Sequence, residues 1–155
     1  TSFEGISSTD FTIGVAPEDA HFTGGFSGIL GIPELYHSGA SGWMVDPGQT
    51  GLIEFTTNAA EVEFYARTRS LATGSSVLTS YDDLSVPLDV VTVNPGDAWK
   101  LVKFVGSIDH ITYENQDQSH VNSIDDFGYT VPEPVTLVLM GLGAIAALRP
   151  RRACR

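Results

Sequence analysis

The sequence predicts an all-β fold, an antiparallel two-sheet β-sandwich of jelly-roll type, followed by a short C-terminal apolar helix. Three observations predict it. Residues 1–130 alternate apolar and polar side chains with a period of two and are rich in β-branched and aromatic residues, with no helix-period segment of ten or more. Clusters of Gly, Pro, Asn and Asp interrupt these runs at roughly 8–12-residue spacing, the rhythm of short antiparallel strands. Residues 135–148 instead form one uncharged apolar block.

Taken in order, the first forty residues are the least regular. Residues 11–15 read as a strand, but Gly24-Gly25-Phe26-Ser27-Gly28 and Gly31-Ile32-Pro33 allow only short extended pieces, with long surface loops expected between them. Strands are then predicted at 43–45, 53–56, 62–66, 77–81, 88–93, 99–105, 108–114 and 124–129. Ile53-Glu54-Phe55-Thr56 and Val62-Glu63-Phe64-Tyr65-Ala66 show the alternation of a strand with one buried face. Asp46-Pro47-Gly48, Thr73-Gly74-Ser75, Asn94-Pro95-Gly96-Asp97 and Gly106 are the expected breakers, and Asp82-Asp83 reads as turn chemistry at a strand end.

Hydrophobic residues make up 42% and charged residues 17% of the 155, enough apolar surface and little enough charge to exclude intrinsic disorder. Cys154 is the one cysteine, so an intramolecular disulfide scaffold and a Cys-based zinc cluster are excluded. The formal net charge of −11 argues against a nucleic-acid partner, because phosphate contacts need a basic face.

That charge is unevenly spread. Residues 1–131 hold 18 of the 19 acidic groups and only four basic ones, Arg67, Arg69, Lys100 and Lys103. The other four basic residues, Arg149, Arg151, Arg152 and Arg155, crowd the end of the chain, which marks a tail with its own destination. The chain therefore divides into a β-sandwich domain, 1–131, and a tail, 132–155.

Ahead of the arginines, residues 135–148 would rise about 21 Å as a helix, against a hydrocarbon core of about 30 Å. Such a segment is a marginal anchor that needs local thinning or snorkelling arginines. Pro134 fits the first turn of that helix, and the positive-inside tendency leaves the arginines cytoplasmic and residues 1–131 outside. A buried core helix is the alternative; the lack of any polar face speaks against it.

Val131-Pro132-Glu133-Pro134, the apolar segment with Gly141-Leu142-Gly143 and the terminal arginine cluster together resemble the PEP-CTERM sorting signal of Gram-negative bacteria. The one departure is Arg149-Pro150-Arg151-Arg152 followed by Ala153-Cys154-Arg155, where an uninterrupted arginine run is usual. The resemblance implies export, transient retention in the inner membrane through 135–148, and processing by an exosortase near Pro132, Glu133 and Pro134. The mature protein is then expected in the cell envelope or outside the cell, with extracellular polysaccharide as a candidate partner. Thr1 is not a start methionine, so a signal peptide is expected upstream.

Phe3-Glu4-Gly5-Ile6 and Ile124-Asp125-Asp126-Phe127-Gly128-Tyr129 resemble the first and last strands of carbohydrate-binding-module-like jelly-rolls. That resemblance implies that the two strands lie side by side, with carboxylates from Glu4, Asp125 and Asp126 helping to bind a structural calcium. No cofactor is otherwise required. By strict alternation Asp125 shares a face with Phe127 and Tyr129, and on a core face it would need a partner; the alternative is a solvated acidic pair.

Catalytic signals are sparse. Glu61 and Glu63 fall on one strand face with carboxyls roughly 6–7 Å apart, a separation that suits an inverting glycosidase, but acids alternating with Val62 and Phe64 also describe any solvent face. His21, His37, His110 and His120 show no zinc-binding spacing, and no serine sits in a GxSxG elbow. Tyr36, Trp43, Tyr65, Tyr81, Trp99 and Tyr113 could supply sugar-stacking platforms, with about half expected in the core. The expectation is a non-enzymatic, exported binding or structural domain. A carbohydrate-binding module proper is the alternative, and a glycoside hydrolase the more distant one.

Overall fold

The computed structural model describes residues 10–15, 18–28, 35–38 and 42–132. Period-2 alternation is realised as nine strands among them: β1 (Phe11–Val15), β2 (Glu18–Thr23), β3 (Phe26–Gly28), β4 (Gly42–Val45), β5 (Thr50–Arg67), β6 (Ser76–Tyr81), β7 (Pro87–Val93), β8 (Lys100–Asn115) and β9 (Asn122–Thr130). Every pairing is antiparallel.

Two layers emerge from one hydrogen-bonded sheet, because β5 and β8 are long enough to belong to both. Residues 52–55 of β5 pair with β2, and 110–115 of β8 pair with β6, which gives the layer β1-β2-β5-β8-β6-β7. Residues 61–67 of β5 pair with β9, which continues to β4 and β3 while β8 covers the other edge. Register shifts between Glu54 and Glu61 mark the corner where the ribbon changes layer, and Asn58 Nδ2 donates to Ser107 Oγ across it at 3.0 Å. The strands expected at 53–56 and 62–66 are thus one, as are those at 99–105 and 108–114. Gly106, expected to break the chain, lies inside β8 with φ +150° and bends it.

The expectation of irregular chain is corrected at residues 18–23, whereas Phe26–Gly28 is a short extended piece as expected. Glu18–Thr23 is a regular strand that buries Ala20 and Phe22 completely. Its polar positions, Glu18, Asp19 and His21, hide a two-residue apolar face that only the opposite layer makes visible. Phe22 meets Phe127 edge-on at 4.9 Å and Trp43 at 5.2 Å, so a side chain from one layer plugs the aromatic core of the other. Trp43 in turn lies so close to Gly51 that a Cβ there would overlap its ring. Phe64, Phe104, Val62, Val102, Ile111, Tyr113 and Ile124 complete a core drawn from both layers.

The turns follow their chemistry. Gly48 (φ +66°) and Gly96 (φ +78°) take left-handed positions, with Gln49 N donating to Asp46 O and Asp97 N to Asn94 O. Asp82 Oδ1 accepts from Leu84 N and Val86 N, as its turn reading requires. The expected apolar helix at 135–148, the basic residues Arg149, Arg151, Arg152 and Arg155, and Glu4 with its strand all lie outside the described residues.

Candidate functional site

The outer face of the β9-β5-β8 layer gathers most of the residues singled out from the sequence. Buried Val62, Phe64 and Ala66 turn the intervening Glu61, Glu63 and Tyr65 outward. Register sets them beside Val105, Lys103 and Leu101 of β8, and beside Thr130, Gly128 and Asp125 of β9. A shallow cleft of about 270 Å³ runs along this face, lined by Glu61, Glu63, Gly128, Tyr129 and Thr130.

Glu61 is held in an ion pair with Lys103. Lys103 Nζ donates to its Oε1 at 2.7 Å, and that bond, with the field of both glutamates, raises the lysine above its ordinary value. Glu61 and Glu63 sit two residues apart on one strand of this face, not on opposed walls of a cleft.

At the other end of the face, Asp125 and Asp126 do come together, with a correction to their expected direction. β9 carries an extra residue opposite Phe64, and Asp126 takes φ +53° to form a bulge. The bulge breaks the alternation. Phe127 enters the core, while Asp125, paired with Tyr65, lies on the opposite face from it. Asp125 is nevertheless fully buried, because the segment 35–38 covers it: Oδ2 accepts from His37 N at 3.0 Å and Ser38 N at 2.9 Å, and Oδ1 from Asp126 N at 2.8 Å. Burial pushes its carboxyl up despite these bonds. Burial also opposes the charge on Asp126, but Ser38 Oγ donates to it and His37 Nδ1 lies 2.6 Å away, and together they hold it below the ordinary carboxylate value.

These bonds also fix an aromatic cluster. His37 stacks on Tyr65 at 3.6 Å and 12°, and Trp99 meets it edge-on at 5.6 Å. Of the six aromatic candidates, Trp43 and Tyr113 are core, while Tyr36, Tyr65, Tyr81 and Trp99 remain partly exposed. His37 carried no sequence signal for this role, since the aspartate that holds it lies 89 residues away.

Of the residues expected to hold calcium, Glu4 lies outside the described residues, while Asp125 and Asp126 are adjacent and bonded to segment 35–38. The carboxylate oxygens already accept hydrogen bonds, and among the described residues no group of three His, Cys, Asp or Glu side chains could hold a metal ion. Each histidine instead sits beside an aspartate: His21 with Asp19, His37 with Asp126, His110 with Asp109 and His120 with Asp117.

The sequence reading missed Asp117. Fully buried at one end of the sandwich, it accepts from Thr73 N and Oγ1 and Gly74 N through Oδ2, and from Ser119 N at 2.7 Å and His120 N at 2.6 Å through Oδ1. Burial opposes its charge, but the backbone N–H groups outweigh burial and hold the carboxyl well below the usual range. Asn115 continues the network to Val45 O and His120 O, tying three loops together.

No curated protein matches the chain. Among solved structures, TmCBM61 in complex with beta-1,4-galactotriose superposes with a TM-score of 0.52 at 14% identity, covering 84% of this chain and 94% of its own. The carbohydrate-binding module CBM29-2, in a variant complexed with mannohexaose, gives 0.47 at 14% identity over 81% and 89%. Residues 130–152 match the PEP-CTERM protein-sorting motif. The chain thus joins a β-sandwich, of the fold seen in a carbohydrate-binding module, to a PEP-CTERM sorting motif that begins at the last residue of β9.

Proposed function

We propose that this chain is an exported exosortase substrate whose β-sandwich has a non-catalytic binding or structural role in the envelope or the extracellular polysaccharide matrix. The observation that carries the reading is the position of the sorting motif. It starts at Thr130, where β9 ends, while every core residue of the described structure lies upstream. Cleavage near Pro132, Glu133 and Pro134 therefore releases the domain without removing any part of that core. Before cleavage, 135–148 and the arginines hold the chain in the inner membrane.

Expression with an exosortase tests this. The exported product should end near residues 131–134 by mass spectrometry, and alanine at Pro132, Glu133 and Pro134 should block processing while membrane association persists. Exported protein that mostly retains Arg155 would refute it.

A second reading, carbohydrate binding, is favoured by the outer face, where Tyr65, two residues along β5 from Glu63 of the cleft, stacks with His37, which Trp99 meets edge-on. Saccharides present apolar ring faces to aromatic side chains and hydroxyls to carboxylates. Glycan-array binding of the full chain should be weakened by Trp99→Ala and left unchanged by Tyr81→Ala on the other layer; equal effects would remove the assignment to this face. Structural calcium at Glu4, Asp125 and Asp126 stays a proposal. It is tested by a saturable rise in melting midpoint that Asp125→Asn with Asp126→Asn abolishes.

A further inference from the structure

We infer that the cleft on the β9-β5 face receives a cationic amino-sugar unit, its ammonium paired with Glu63. This rests on the carbohydrate reading and narrows it to a ligand class. Three observations carry it. The first is Gly128, which lies directly opposite Glu63 and lines the cleft. Among the described residues a Cβ there would meet nothing nearer than Glu63 O at 3.9 Å, and its φ is not positive, so neither their packing nor the backbone conformation demands a glycine. Glycine inside a strand marks a bulge or a close approach of another group; Gly128 follows the bulge at Asp126 and also leaves the cleft wall beside Glu63 open to a ligand.

The second observation is the state of the carboxylates. Lys103 lies opposite Glu63 in the register and feels its field, but its 2.7 Å bond goes to Glu61, and the exposed side chain of Glu63 accepts no hydrogen bond among the described residues. The open wall at Gly128 therefore faces an anionic acceptor whose charge is not cancelled by a direct ion pair. The third is context. Tyr65 lies two residues along the same strand face, about 6–7 Å away, within the span of one sugar ring, and residues 1–131 carry 18 acidic against four basic groups. That field repels uronate polymers and attracts protonated amines.

Isothermal titration of the full chain at mildly acidic pH and low salt, with a glucosamine oligomer, its N-acetylated counterpart and an oligogalacturonate, tests the inference. The glucosamine oligomer should bind about tenfold or more tighter than the acetylated one, as one desolvated charge pair supplies. Glu63→Gln should erase that preference. Gly128→Val, which adds a β-branched side chain in free space on a strand, should abolish binding with the fold retained by circular dichroism. Glu114→Gln, an exposed carboxylate elsewhere on β8, should change neither. Equal binding of the amine and acetylated oligomers, or a preference that survives Glu63→Gln, overturns this inference and leaves the carbohydrate reading standing. Loss of the preference in Glu114→Gln as well would show diffuse attraction and overturn it too. Binding of none of the three saccharides overturns this inference, whereas failure on the glycan array as well overturns the carbohydrate reading.

Discussion

Replacing Asp117 with asparagine tests the account of how the loops at one end of the sandwich are held. The carboxylate accepts through both oxygens, from Thr73 and Gly74 on one side and Ser119 and His120 on the other. Asparagine keeps one oxygen and turns the other into an NH₂ group that faces backbone N–H donors, so at least two of these lose their acceptor. A buried donor left unpaired costs about 1–3 kcal/mol, and since these loops are only partly buried a total of about 3 kcal/mol is expected. For a domain of this size that lowers the melting midpoint by roughly 10 °C.

The pH dependence gives an independent check. A carboxyl held below its ordinary value contributes stability that is fully present above the unfolded value of about 4 and is lost as pH falls through the folded one. Melting curves of the parent should drop steeply below about pH 4, and the slope should be shallower in Asp117→Asn. A midpoint within about 2 °C of the parent at neutral pH, or an unchanged acid slope, would refute the reasoning.

Phe22→Ala removes the side chain that joins the layers and should cost about 3–5 kcal/mol by denaturant unfolding; a cost under about 1 kcal/mol would mean β2 is peripheral. Gly51→Ala should destabilise through overlap with the Trp43 ring, read as a lower melting midpoint, whereas a neutral result would require Trp43 to shift freely. Asp126→Asn keeps a residue that tolerates the left-handed backbone but loses the charge that holds His37, so Trp99 fluorescence should change with little loss of stability. An unchanged Trp99 spectrum would show that Tyr65 stacking alone places His37. Residues 1–131 should retain a β-type circular dichroism spectrum and one cooperative melt without the tail; a helix-dominated spectrum would refute the architecture.

What the sequence by itself determined is what depends on near neighbours along the chain. Alternation around Val62-Glu63-Phe64 placed the outward carboxylates and the inward core, because side-chain direction in a strand is a property of the pleat. Pro-Gly and Asn-Pro-Gly-Asp placed turns, since they constrain φ locally, and the order of Pro-Glu-Pro, apolar block and arginines placed the sorting signal in the tail at 132–155, which the match over 130–152 overlaps. Tertiary structure alone decided the rest. β2 is a strand because Phe22 finds Phe127 and Trp43 in the opposite layer, which no local count of apolar residues in Glu-Asp-Ala-His-Phe-Thr could show. Asp125 faces away from Phe127 because a bulge at Asp126 inserts one residue into the ladder. Its burial depends on two N–H groups almost ninety residues away, an interaction that exists only once chain entropy has been spent bringing those segments together.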